Sequence, residues 1–418
     1  MPSKLAPAIT LLLLHALLWP TAINASWWLL AMPSAYEMTL QMKNHFDYKD
    51  QCLRMAYLVE RQRELCTTSE NLLMVVSQGA QLGVHECQRQ FAGRHWNCST
   101  TINQLQPYLV RDSQSEFSKK LRDQPIRERA KPNRGHELKR DLLKLGFQSD
   151  APAKDVGDVF GQVLKLNTRE KAFMHAVSAA GVAYSITRAC RDGQLTSCAC
   201  DTNVHLNTKL KEKHNGNWDW GGCSDDVAFG QQLSKDFIDS NDLAKLEGDP
   251  APTLMNLHNN DAGRKALRQN MKLICKCHGV SGSCTTKICW RQMADFDKIG
   301  KSLYRKFDKA VLVMFNMDRH RLKPAHKGHS RPRKRDLVYL EESPDYCESN
   351  HKYGIYGTQG RQCSIDSFGV DNCKVLCCGR GHTTVVTETV HECDCHFVWC
   401  CRVQCKTCVH KREHHFCR

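Results

Sequence analysis

Cys275-Lys276-Cys277-His278-Gly279-Val280-Ser281-Gly282-Ser283-Cys284-Thr285-Thr286-Lys287-Ile288-Cys289 reads as a cross-linked hairpin. Cys275 and Cys277 are two residues apart, so a strand places both on one face. Nested closure, Cys277 with Cys284 and Cys275 with Cys289, makes a stapled finger. At its tip Gly279, Ser281, Gly282 and Ser283 are too small and polar to pack against anything. The spacing therefore predicts a rigid tip suited to display a hydroxyl. The plainer alternative is a stapled turn whose serines are only solvated.

A second cysteine pattern lies in the tail, Cys393-Asp-Cys395-His-Phe397-Val398-Trp399-Cys400-Cys401-Arg-Val-Gln-Cys405-Lys-Thr-Cys408. Cys405 and Cys408 with His396 and His410 could supply four zinc ligands. C-x-C and C-C pairs are tighter than a zinc knuckle, and the start of the chain favours an oxidising compartment, so disulfides are the better reading. A hairpin follows, with Cys393 facing Cys408 and Cys395 facing Cys405. Phe397, Val398 and Trp399 then stand beside Cys400 and Cys401 at an end with no core to enter. Such a tip is a docking surface.

The whole chain has 418 residues and 24 Cys, with 59 Lys+Arg against 44 Asp+Glu for a net charge of +15. Hydrophobic residues at 41% and charged residues at 25% exclude wholesale disorder. Half of the 24 Cys fall after residue 346, so the tail is to be held mainly by cross-links and the longer part by an apolar core. Lys4 precedes the apolar Leu5–Trp19, broken by Pro20, which is the layout of a secretory signal peptide cut after Ala25. No later apolar run is long enough to span a membrane. The cut removes Asn24, leaving Asn97-Cys98-Ser99 as the glycosylation sequon.

Four helices are expected in the longer part. Thr67-x-x-Glu70 reads as a capping box before Leu72, Val76, Ala80, Gly83 and Cys87. A second helix starts near Thr168, with Phe173, Val177, Ala180 and Tyr184 on one face and small residues between them for close packing. Phe229, Leu233 and Phe237 mark a third, and Leu254–Met271 a fourth. Arg111–Lys154, with twelve Lys/Arg, seven Asp/Glu and three Pro, reads as a basic surface insertion. Arg319–Arg335 has eight Lys/Arg, three His and no acid. It reads as a basic linker before the strand-like Asp336–Leu340, and its charge suits sulfated glycosaminoglycans.

Catalysis finds little support. Gly279-Val280-Ser281-Gly282-Ser283 lacks the last Gly of a nucleophile elbow, and no P-loop, G-x-G-x-x-G or H-E-x-x-H occurs. A nuclear nucleic-acid binder is excluded by the leader and the cysteines. A secreted protein of the matrix type, holding heparan sulfate by charge, is the rival to a signalling ligand.

These stretches together resemble the Wnt family of secreted, lipid-modified signalling proteins. The likeness includes Cys87-Gln-Arg-Gln-Phe, Arg94-His-Trp96-Asn-Cys98-Ser, Thr168-Arg-Glu-Lys-Ala-Phe173, Trp218-Asp-Trp-Gly-Gly-Cys223-Ser-Asp and His258-Asn-Asn with Ala262-Gly-Arg264. It continues through Cys275–Trp290, Asp336-Leu-Val-Tyr, Leu376-Cys-Cys-Gly-Arg-Gly-His382 and the closing Cys run. The resemblance implies a mainly α N-terminal domain (26–318) with a disulfide-stapled β-hairpin thumb. A basic linker (319–335) and a small disulfide-rich β-hairpin C-terminal domain (336–418) follow. It implies a mono-unsaturated fatty acyl ester on Ser281 from the acyltransferase Porcupine, no other cofactor and no metal. It also implies that Gly279–Gly282 and Phe397–Cys401 grip the Cys-rich domain of Frizzled receptors. Further partners implied are a low-density-lipoprotein-receptor-related co-receptor, Wntless during secretion and heparan sulfate proteoglycans. The place of action implied is the extracellular space and matrix. The family's pairing implies Cys52–Cys66, Cys87–Cys98, Cys190–Cys198, Cys200–Cys223, Cys275–Cys289 and Cys277–Cys284. In the tail it implies Cys347–Cys378, Cys363–Cys373, Cys377–Cys417, Cys393–Cys408, Cys395–Cys405 and the vicinal Cys400–Cys401. One departure is the 68 residues between Ser99 and Thr168, where the family has a short connection.

Overall fold

The computed structural model describes residues 27–32, 48–55, 57–99, 164–203, 218–326, 328 and 330–418. The expected leader (1–25) and the basic insertion Arg111–Lys154 lie outside them.

A short 3₁₀ turn, Trp27–Ala31, precedes helices α1 (Tyr48–Arg54) and α2 (Glu60–Thr68), which the Cys52–Cys66 disulfide ties together. Helices α3 (Leu72–Phe91) and α4 (Arg169–Arg191) form the centre, and α4 is buried along most of its length. Gly79, Gly83 and Gly181 make their contact possible, because a Cβ on Gly79 or Gly181 would overlap the other helix's backbone. Phe91, Phe173 and Phe307 meet edge to face at 4.8–6.2 Å between centroids, closing the core at one end.

The capping box expected at Thr67 does not form. Thr67 and Thr68 end α2, their hydroxyls donating back to the carbonyls of Glu64 (2.7 Å) and Leu65 (2.6 Å). α3 instead starts after Asn71. A hydroxyl near a helix end can serve either side, and the backbone acceptors behind it won.

After β1 (Asp219–Trp220) come α5 (Val227–Leu243) and α6 (Pro250–Gln269), both packed on α4. Strands β2 (Met271–His278) and β3 (Thr286–Met293) form the predicted hairpin, and β1 runs parallel to the outer side of β3. Helix α7 (Phe296–Phe307), not among the four helices expected, buries Phe296, Ile299, Gly300, Leu303 and Phe307 on one face.

The stretch read as a linker is partly built into the fold. β4 (Val311–Asn316) pairs antiparallel with β5 (Arg321–Pro324) and parallel with β6 (Val338–Tyr339). The Asn259 amide on α6 donates to Val338 O and accepts from Val338 N, both at 2.9 Å, which pins the end of this stretch to the helices.

The tail contains β7 (Ser349–Asn350), β8 (Ile355–Tyr356), β9 (Gln362–Cys363), the one-turn α8 (Cys373–Leu376), and two long strands, β10 (His382–Val398) and β11 (Arg402–Cys417). Its small core is Cys363, Cys373, Leu376, Cys377 and Cys417, nearly all sulfur. The expectation of a region held by cross-links is met. Arg361 fastens it to the helices, donating to His95 O (2.7 Å) and Ala92 O (2.9 Å).

Candidate functional site: a stapled thumb and an apolar finger

The thumb is built by register. Cys275 stands opposite Cys289 and Cys277 opposite Lys287, and the bridges Cys275–Cys289 and Cys277–Cys284 close as the spacing predicts. At the tip Ser281 lies in the left-handed region (φ 57, ψ 29), where a non-glycine residue is strained and needs its surroundings to hold it. Gly279 makes the turn close, since a Cβ there would collide with the Ser283 carbonyl. Val280 is 88% exposed and Ser281 is exposed beside it. The two serines differ in partner. Ser283 Oγ shares a hydrogen bond with Thr285 Oγ1 at 3.1 Å. Ser281 Oγ has no hydrogen-bonding partner among the described residues.

The thumb's base is clamped by residues that the sequence reading quoted but gave no task. The Asp225 carboxylate accepts from Met293 N at 2.7 Å, while Asp225 N donates to Arg291 O at 2.9 Å. Ser224 Oγ accepts from Arg291 N at 3.1 Å, and Arg191 pairs with Asp225 at 3.5 Å. Burial pushes the Asp225 carboxyl above the usual carboxylate range, against the opposing pull of the Met293 amide and Arg191. Gly221 and Gly222 let this segment lie flat on Ile288 and Trp290, and Cys200–Cys223 anchors it. An acid placed two residues after a cysteine, beside a hairpin, was the available signal.

Behind the thumb a buried polar network joins α4, α5 and α6. Arg264 makes a two-pronged pair with Asp239 (2.9 and 2.8 Å), and Asn260 bonds Asp239, Asp242 and His175 at 3.1 Å each. Gly263 leaves room for the Ala176 carbonyl, where any Cβ would overlap. Burial and the nearby Lys171 push His175 down to about 3, so it is neutral. This network accounts for the Asn-Asn and Gly-Arg of the 258–264 stretch as architecture.

The finger is longer than the cysteine pattern suggested, running from His382 paired with Cys417 to Val398 paired with Arg402. Cys393–Cys408 and Cys395–Cys405 are present, which commits the thiols that a zinc site would need. Cys393–Cys408 bridges diagonally, because Cys393 stands opposite Lys406 and His391 opposite Cys408, whereas the register shift before His396 brings Cys395 level with Cys405. At the tip Phe397 is 69% and Trp399 92% exposed, with Val398 beside them. The vicinal bond is a correction: Cys400 and Cys401 are free, exposed thiols. Both residues are in left-handed conformation (φ 71 and 80) to turn the chain. The other eleven expected bridges are all present, including Cys87–Cys98, Cys190–Cys198, Cys347–Cys378, Cys363–Cys373 and Cys377–Cys417.

Asn97 is partly exposed at the turn closed by Cys87–Cys98. On another face a cleft of about 930 Å³ opens between α5, α6 and the β5 region. Arg321, Arg331 and Lys334 of the basic stretch meet Arg61 and Lys235 of the helices around it. The acids there are engaged, Asp236 accepting from Gln232 and Asp261 pairing with Lys265. The last two basic residues are separated from the first three by 86 or more positions, so no local run announced them.

Thumb, finger and sulfur-rich tail on a helical body define a cysteine-stapled protein built to present two tips. The wnt family profile matches residues 54–128 and 149–418. The chain belongs to the Wnt family, whose members are secreted signalling ligands. Among solved structures it is similar to a chain of the human WLS complex with WNT8A, at 32% identity and TM-score 0.49, covering 85% of this chain and 99% of that one. It is also similar to the Drosophila WntD N-terminal domain-linker, at 16% identity and TM-score 0.34, covering 66% and 98%. No helix among the described residues is long and apolar enough to cross a membrane.

Proposed function

We propose that this Wnt ligand acts through a fatty-acylated Ser281 that enters the Cys-rich domain of a Frizzled receptor, while Phe397–Cys401 grip the opposite side. The observation that carries the reading is the tip itself. Ser281 is exposed, left-handed and without a hydrogen-bonding partner among the described residues, on a hairpin that two disulfides keep rigid. The acyl transfer is assigned to an external enzyme, the membrane acyltransferase Porcupine, as the family resemblance implies. Mono-unsaturated acyl is the group expected, with no further cofactor. Burying such a chain contributes about 0.8 kcal/mol per methylene, enough for a polar, stapled protein to bind through one small contact. Wntless is proposed as the carrier in secretion, as the WLS complex of the 32%-identical WNT8A suggests. A low-density-lipoprotein-receptor-related co-receptor completes the signalling partners, and Asn97 carries the glycan. The basic cleft with Arg321, Arg331 and Lys334, together with Arg333 and Arg335 beside them in the chain, holds heparan sulfate in the matrix. The test is Ser281→Ala: secreted protein with native disulfides should lose binding to an immobilised Frizzled Cys-rich domain. Undiminished binding would refute the reading.

A further inference from the structure

We propose that the thumb is also a docking surface for an anionic phospholipid bilayer, with Lys276 and Lys287 forming a cationic collar around Val280 and Ser281. The affinity rests on the acylation proposed above, whereas the preference for anionic lipid rests on the collar alone.

From Met271 to Ala294 the hairpin contains no Asp or Glu, while it carries Lys272, Lys276, Lys287 and Arg291. Near the tip Lys276 and Lys287 are exposed. Lys276 stands opposite Ile288 and Lys287 opposite Cys277, adjacent rungs of the ladder, so their side chains leave opposite faces of the hairpin. At the base of the hairpin Asp295 meets Lys272 and Lys298. Lys276 instead reaches over the Trp290 ring at 6.0 Å. The acid on the neighbouring strand, Asp219, is in register with Ile288, the residue opposite Lys276, and so lies on the same rung as Lys276 with β3 between them. Ahead of the collar stands Val280, 88% exposed.

This arrangement selects among polyanions. A linear sulfated glycan lies along one face of a narrow hairpin and offers nothing to Val280. A bilayer met end-on brings phosphates to cations on both faces at once and accepts the valine and the acyl chain between headgroups. The physics calls for such a partner to the lipid: one acyl chain gives only marginal, reversible membrane attachment, and a chain plus basic residues gives a stable one. A lysine near an anionic surface adds about fivefold to partitioning. Two should give about 25-fold, sensitive to salt.

The experiment uses the secreted full-length protein and its Lys276→Gln/Lys287→Gln variant, with acylation and disulfides checked by intact mass. Partitioning is measured on phosphatidylcholine vesicles with and without phosphatidylserine, and retention on heparin is measured in parallel. Wild type should prefer the anionic vesicles, and the variant should lose about 25-fold on them while binding neutral vesicles as before. Equal binding of both proteins to anionic vesicles would overturn the proposal. A variant that loses heparin retention but keeps its vesicle binding would reassign the collar to sulfated glycans and also overturn it. If wild type proves unacylated, the acylation reading fails by itself. The collar is then judged on vesicles loaded densely enough to read the anionic-to-neutral ratio, which should still fall in the variant.

Discussion

Replacing Asp225 by Ala should loosen the thumb from the helical body without touching either tip. The carboxylate is 2% exposed and accepts from Met293 N at 2.7 Å. A hydrogen bond to a charged group contributes about 1.5–3 kcal/mol, and a buried amide left without its acceptor costs about 1–3 kcal/mol when no water reaches it. These two figures count one loss from two sides and are not added. The Arg191 contact, at 3.5 Å from a partly exposed guanidinium, adds little. Burial of the carboxylate, which raises its pKa, offsets part of the gain. About 2 kcal/mol remains, which corresponds to roughly 30-fold faster amide exchange where local opening dominates. Hydrogen exchange read by mass spectrometry should show this in peptides covering 271–293, with α3 and α4 unchanged. Asp225→Asn, which keeps an acceptor for Met293, should show a smaller effect. Unaltered exchange across β3 in the Ala variant would refute the claim that this carboxylate holds the thumb.

Acid should act through His175. Its folded pKa, about 3, lies below the usual 6.5, so the unfolded chain binds more protons between these values. Stability from this residue is therefore present above about pH 6.5 and lost as pH falls toward 3, by at most about 1.4 kcal/mol per unit. His175→Gln should flatten the fall in Tm between neutral pH and pH 4.5, and an identical slope would contradict the assignment. Replacing Arg331, Arg333, Lys334 and Arg335 with Ser should lower the salt needed to elute the protein from heparin and leave Frizzled binding intact. An unchanged elution profile would return the segment to a structural role.

The parts of this fold legible in the sequence were those fixed by covalent or periodic rules. The spacing Cys275-x-Cys277 against Cys284 and Cys289 specified a hairpin, its register and its tip, because two stapled rungs admit little else. Long helices such as Arg169–Arg191 announced themselves through periodic apolar and small residues. Where a residue can serve two neighbours, sequence was ambiguous, as at Thr67, which ends one helix instead of starting the next. The spacing of Phe296, Ile299, Leu303 and Phe307 is helical, so α7 too was legible in the sequence. The roles of Asp225, Asn259 and Arg264 were hidden for a different reason. Their partners lie 68, 79 and 25 positions away, and only tertiary packing brings them together. The Cys400–Cys401 bond, carried over by resemblance, was not legible from the residues.

The most direct test is to map the modification on the secreted protein by tandem mass spectrometry of the peptide spanning Cys277–Cys284. The account predicts a mono-unsaturated fatty acyl mass on Ser281, whose hydroxyl has no hydrogen-bonding partner among the described residues, and none on Ser283, whose hydroxyl is held by Thr285. An unmodified peptide, or an acyl group on Ser283, would contradict it.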